Sequence, residues 1–229
     1  MTTIGSTTLD RSLGDLVAED GSRARVLERL GLDYCCHGDR TLGAACADAG
    51  LDAAAVADEL ARTARGEVDG IASAGPLGLV EHIVVRHHRY LDDELPALEA
   101  LAAKVRDVHG ARHPELAQVA AITAALRADL EPHLREEERV VFPAIARLVL
   151  GSTDDGVREG IRGLAAEHEV AGALLADLRR AAADYVAPDD GCASYRSLYE
   201  RLEQLERDTF RHIHLENNVL FPAVMALLP

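Results

Sequence analysis

The chain has 229 residues, enough for one large domain or two small ones and too long to depend on disulfide staples. Its 24 basic and 39 acidic residues give a net charge of −15 with no offsetting basic patch, which makes nucleic acid and anionic membranes poor partners. Aromatic content of 3%, no tryptophan and abundant alanine exclude a sheet-rich fold and point to an all-α protein. The opening MTTIGSTTLDRSLGD has no basic n-region or apolar h-region, and no stretch approaches about 18 apolar residues, so a cytoplasmic protein is expected.

Residues 1–65 carry short helical segments broken by glycine. One ends near Leu30-Gly31, one starts with Thr41 as N-cap, and one runs from Asp52 to about Arg65. Residues 66–76 hold three glycines and a closing proline without an apolar period, the composition of a linker. Four long helical patterns follow: Leu77 to about Val108, Pro114 to about Leu150, Asp155 to about Tyr185, and Ser194 to about Leu228. Short connections between long helices predict antiparallel neighbours, so 77–229 is expected to be an up-down four-helix bundle behind a small helical domain.

A polar residue on the apolar stripe of a helix has to be explained. The second long helix runs Val119, Ile122, Leu126, Leu130, His133, Glu137, Val141, Ala144, Leu148. The fourth runs Leu198, Leu202, Leu205, Thr209, His212, Glu216, Leu220, Ala223, Leu227. Four residues turn a helix by about 400°, so each His stands over its Glu. The first helix contributes His88, in Val84, His88, Leu91, Leu95, Leu98, and the third His168, in Leu164, His168, Ala171, Leu175, Leu178. The segment HLREEERVVFP from His133 mirrors HIHLENNVLFP from His212, so the bundle reads as a helical hairpin repeated twice. A lone core histidine is usually just hydrogen-bonded. A carboxylate buried without a counter-charge, however, costs of the order of several kcal/mol, and two at matched positions beside histidines argue for metal ions. Imidazole with carboxylate suits iron, manganese or zinc, and two ions bridged by two carboxylates would use all six groups. Of Glu136, Glu137 and Glu138, only Glu137 is expected to turn inward.

The order His, His-x-x-x-Glu, Glu-His, His-x-x-x-Glu resembles a hemerythrin-type di-iron domain. The segment Leu32-Asp33-Tyr34-Cys35-Cys36-His37-Gly38, followed by Thr41-Leu42, resembles the cysteine-pair domain of the repair-of-iron-centres family. The resemblance covers nearly the whole chain. It implies metal ligands at His88, His133, Glu137, His168, His212 and Glu216, and two iron ions bridged by oxo or hydroxo groups and carboxylates. It also implies a metal-transfer or redox role for Cys35 and Cys36, and a homodimer. Dioxygen carriers of this type add a fifth histidine, whereas only four fall in register here, which leaves open coordination positions.

The residues alone leave Cys35 and Cys36 as two small buried side chains, or as thiolates favoured by the helix start at Thr41. His37 and Cys46 are further candidate ligands near the pair. His214 points about 200° from His212 and should not share its centre. His82 and His87 are off the series, and Cys192 reads as incidental. The function implied is repair of iron–sulfur clusters damaged by nitric oxide or oxidants, with damaged iron–sulfur proteins as partners and a mobile cysteine domain suited to delivery. A non-catalytic sensor or store for dioxygen, nitric oxide or iron, and a nitric oxide reductase, are the alternatives.

Overall fold

The computed structural model describes residues 8–63, 74–152 and 156–228. The linker expected at 66–76 lies, through residue 73, outside the described residues, as do the helix end expected at Arg65 and the helix start expected at Asp155. The described residues are helices and turns, with one isolated antiparallel bridge between Ser12 and Thr41. No helix among them is long and apolar enough to cross a membrane.

The chain divides into two compact units, Met1–Val80 with Arg211–Pro229, and Glu81–Phe210. In the first, α1 (Leu13–Glu19) and α2 (Ala24–Arg29) precede α3 (Leu42–Ala49) and α4 (Ala53–Arg62). Thr41 caps α3 by accepting the Ala44 amide, and Asp52 caps α4 by accepting those of Ala54 and Ala55, as the sequence predicts. The sequence pattern did not announce α1. It is seven residues long, too short for a period to show, and it is capped by Ser12, which takes the Asp15 amide. The Leu13 amide donates to Arg40 and the Leu42 amide to Arg11, so α1 and α3 start side by side.

The chain leaves this unit within α5 (Gly75–Ile83) and returns to it within α10 (Ala193–Leu215). Between them lie α6 (Arg89–His109), α7 (Leu116–Glu136), α8 (Phe142–Val149) and α9 (Val157–Ala181); α11 (Phe221–Met225) closes the chain. In the second unit α7 packs along both α6 and α9. The core there is aliphatic, with Leu95, Leu126, Leu175 and Leu202 fully buried.

Three of the long helices are not continuous α-helix. Val84–His88, Glu137–Val141 and Glu216–Leu220 are single π-turns, each closed by an amide reaching five residues back: Arg89 to Val84, Phe142 to Glu137, Phe221 to Glu216. Pro143 and Pro222 supply a cause for two of them. A proline ring has no amide and clashes with the carbonyl four residues back, and the wider turn relieves both. Nothing in the sequence accounts for the turn at His88.

A π-turn adds one residue, so the stripe beyond it is rotated by about 100°. In the fourth long helix the expected Ala223 and Leu227 are exposed, and Phe221 and Val224 are buried instead. In the first, Ile83 rather than Val84 is buried. The third helix has no π-turn, and all five of its expected stripe residues are buried. It ends at Ala181, short of the expected Tyr185, because Ala183, Asp184 and Tyr185 take left-handed φ of 47°, 54° and 61°.

Candidate metal centre and cysteine turn

The π-turns coincide with the polar residues of the stripe. His88 ends the first, while Glu137 and Glu216 open the second and third. All six expected ligands are buried. Within the second unit Glu137 faces two imidazoles at once: Oε2 lies 3.3 Å from His88 Nε2 and Oε1 lies 3.2 Å from His133 Nε2. His168 Nε2 is 3.1 Å from His133 Nε2. One ligand atom from each of His133, Glu137 and His168 falls within 4.8 Å of the others. Within the first unit the second His-x-x-x-Glu pair repeats this spacing, with His212 Nε2 3.1 Å from Glu216 Oε1.

Acceptors behind two of the rings set their tautomers. His88 Nδ1 donates to Glu138 Oε1 at 3.0 Å, and His133 Nδ1 donates to Glu167 Oε2 at 2.6 Å. In the neutral rings the Nε2 lone pairs therefore aim at Glu137. Lone pairs of nitrogen and carboxylate converging at this distance repel unless a cation lies between them. Ligand atoms about 2.1 Å from one octahedral ion stand about 3 Å apart, which matches the spacing seen. The donor set fits a transition-metal cation and is compatible with iron.

Glu138 and Glu167 orient the rings of His88 and His133, a role the sequence pattern assigned to neither. Both lie off the apolar stripe, and Glu138 was expected to be a solvated charge. Its side chain instead turns back to orient His88 and also meets Arg89 Nη2 at 3.4 Å. Carboxylates behind metal-binding imidazoles commonly tune affinity. Glu138→Ala is accordingly expected to weaken metal binding about 10- to 100-fold without abolishing it, whereas Glu136→Ala leaves it unchanged; metal titration of the apoprotein reads both.

The cysteine pair sits in a turn built on Asp33. Its Oδ1 accepts the amides of Cys35 and Cys36, each at 3.0 Å, and the Cys35 thiol at 3.2 Å; Oδ2 takes His37 Nδ1 at 2.6 Å. Burial opposes ionisation of Asp33, but these bonds outweigh it and hold its carboxyl below the usual range. Cys35 and Cys36 are thiols and not joined in a disulfide, with sulfurs 3.8 Å apart. Cys35 is buried, and the Cys36 sulfur, burial and Asp33 push its thiol well above the usual range. Of the two readings the residues left open, Cys35 fits that of a small buried side chain. Cys36 is the more accessible sulfur. Asp33, Cys35 and Cys36 each bring a ligand atom within 4.8 Å of the others, whereas Cys46 lies on the buried face of α3 and falls in no such group among the described residues.

This turn is bonded to the third π-turn. Asn218 Nδ2 donates to the carbonyls of Tyr34 and Cys35 at 3.3 and 3.0 Å, and Asn217 Nδ2 to that of Cys35 at 3.3 Å. His214 Nδ1 donates to the Tyr34 carbonyl at 3.4 Å, and burial holds His214 down to about 4, so it is neutral at pH 7. His214 is thus engaged away from the metal residues, as its helical phase predicts. Gly14 and Gly38 permit the approach, because a Cβ at either would run into the Asn218 side chain. The turn is thus hydrogen-bonded to the two residues that follow Glu216.

A helical protein with paired histidines and carboxylates turned into its core belongs to a cation-binding class, and comparison with known proteins agrees. The chain belongs to the hemerythrin family: the model of the hemerythrin HHE cation-binding domain matches residues 79–224. Residues 9–64 match ScdA_N, a domain described as of unknown function. The chain is 31% identical over 212 residues to the iron-sulfur cluster repair protein ScdA of Staphylococcus haemolyticus, covering 91% of this chain and 95% of the relative. It is 33% identical over 218 residues to the iron-sulfur cluster repair protein YtfE of Cronobacter sakazakii, covering 95% and 97%. The repair-of-iron-centres resemblance read from the cysteine pair and the doubled His-x-x-x-Glu therefore holds across both parts of the chain.

Proposed function

We propose that the protein repairs damaged iron–sulfur clusters, using a two-iron centre held by His88, His133, Glu137, His168, His212 and Glu216. The observation that carries this reading is Glu137, a buried carboxylate whose two oxygens face two different imidazoles, which is the arrangement a bridging ligand needs. The repeat makes Glu216 its counterpart, and the match to one cation-binding domain across 79–224 supports treating all six as one ligand set. The domains proposed are 1–65 for the cysteine pair and 77–229 for the metal-binding bundle.

Bound there, iron would supply a site that takes up nitric oxide or dioxygen and a store of iron for a damaged cluster protein. The chain's own residues do the rest. Glu138 and Glu167 keep His88 and His133 in the tautomer that presents Nε2. Cys36, beside Asp33 and Cys35, offers an accessible sulfur, and Asn217 and Asn218 hold that turn next to Glu216 along the chain. We propose the pair as the group that hands metal onward, since a soft thiolate ligand binds iron and exchanges it.

The test is reactivation of a nitric-oxide-damaged cluster protein by the iron-loaded protein. The Cys35→Ser/Cys36→Ser variant is expected to keep its iron and its unfolding temperature, because the backbone carbonyls rather than the thiols dock the turn, and to lose most of the reactivation. Full reactivation by this variant would reduce the cysteines to packing. Failure of the wild-type protein to reactivate would remove the repair function itself.

A further inference from the structure

Cys192 stands outside everything assigned above, and the structure gives it the partners that the sequence did not. It is exposed and precedes α10, where its carbonyl accepts the Arg196 amide at 3.1 Å. The amides of Ser194 and Tyr195 at the open end of that helix donate to its sulfur. Across the unit from α6, His109 brings Nε2 to 3.1 Å from Cys192 Sγ. His109 is only 6% exposed, and its Nδ1 is buried with no hydrogen-bond partner among the described residues.

That arrangement decides where the proton sits. If the thiol donated to Nε2, the ring hydrogen would be on Nδ1, a buried donor with no acceptor, which folded proteins rarely tolerate. With the hydrogen on Nε2, His109 donates to the sulfur, a bond strongest when that sulfur is a thiolate, and leaves only an unmatched lone pair, the lesser cost. The helix start favours the same state, and the Tyr195 amide foremost, with that of Ser194, holds the thiol below its usual range. The neighbouring charges are engaged elsewhere. His113 lies 3.2 Å from Glu115 through Nδ1 and 3.1 Å from Asp190 through Nε2, Arg112 pairs with Asp190 at 3.5 Å, and Arg196 donates to the Asp189 carbonyl. The Tyr195 hydroxyl lies 3.4 Å from Glu115, and its ring packs 5.6 Å from that of His109.

We propose that Cys192, held by His109 and the start of α10, is a reactive thiolate that forms a mixed disulfide with the disulfide of a low-molecular-weight thiol. Sγ attacks one sulfur of the small disulfide along the S–S axis. The new S–S bond forms as the old one breaks, and the electron pair leaves on the second sulfur as a thiolate, so Cys192 is oxidised as half of the small disulfide is reduced. The site is separate from the metal-ligand set and does not depend on it.

The full-length reduced protein, treated with glutathione disulfide at pH 6.5 and mapped by peptide mass, reads the reaction directly. At that pH an ordinary thiol is about 1% ionised, so after allowing for the weaker nucleophilicity of a more acidic thiol, Cys192 should react about fivefold faster than N-acetylcysteine amide. His109→Gln should cancel most of that gain, and Cys192→Ser should remove the adduct. If His109→Gln does not fold, the wild-type protein still decides the matter: alkylation of Cys192 by iodoacetamide should titrate with a midpoint below the value of about 8.5 for a free thiol. A midpoint at or above that value, or a rate equal to that of N-acetylcysteine amide, would overturn the proposal.

Discussion

Glu137→Ala is expected to cost the protein both metal ions, not one. Its two oxygens serve His88 on one side and His133 on the other, so truncation removes a ligand from both positions of the proposed centre. It also leaves the imidazoles of His133 and His168, 3.1 Å apart, without the carboxylate that balances a bound cation. Metal content by mass spectrometry should therefore fall from two ions per chain to near none, with helical content by circular dichroism retained. Glu216→Ala should behave alike because the repeat places it in the same role. Loss of a single ion in Glu137→Ala would mean that this carboxylate binds terminally and does not bridge.

Arg179→Ala is expected to be the most destabilising change away from the metal residues. Arg179 lies at the end of α9 and binds Glu206 through both Nε, at 3.1 Å, and Nη2, while its guanidinium covers the ring of Tyr185 at 5.0 Å. Glu206 is 1% exposed, and Tyr185 holds a left-handed φ that a bulky residue adopts only when packing fixes it. Removing the cation leaves a buried carboxylate under-compensated and uncovers the strained turn, a loss of about 3 kcal/mol and hence about 6–12 °C in the unfolding temperature. The double change Arg179→Met/Glu206→Leu should recover most of that loss, since an apolar pair carries no desolvation penalty. Scanning calorimetry of the two variants measures it, and equal losses in both would assign the effect to packing rather than charge.

These two sites show what the sequence makes legible and what it hides. Period and spacing are local, so a helix without interruption such as α9 can be read throughout, and His168 lies where its stripe predicts. The π-turns break that reading because they change the phase within one turn while leaving the composition unchanged. Phe142-Pro143 and Phe221-Pro222 were visible as matched endings of the repeat, yet their consequence for Ala223 and Leu227 required the backbone. Partners distant in sequence were hidden altogether. Glu206 bonds 27 residues away to Arg179, and Cys192 lies 83 residues from His109. Glu138 was hidden for a different reason, as its long side chain reaches back from a position whose helical phase points outward.

The most direct measurement of the central claim is metal content per chain, taken with the absorption spectrum, on protein purified without oxygen. Two iron ions per chain, with a spectrum that shifts on addition of nitric oxide, is the result that a centre shared by four imidazoles and two carboxylates requires. One tightly held zinc ion per chain, with no absorption in the visible and no response to nitric oxide, would contradict it.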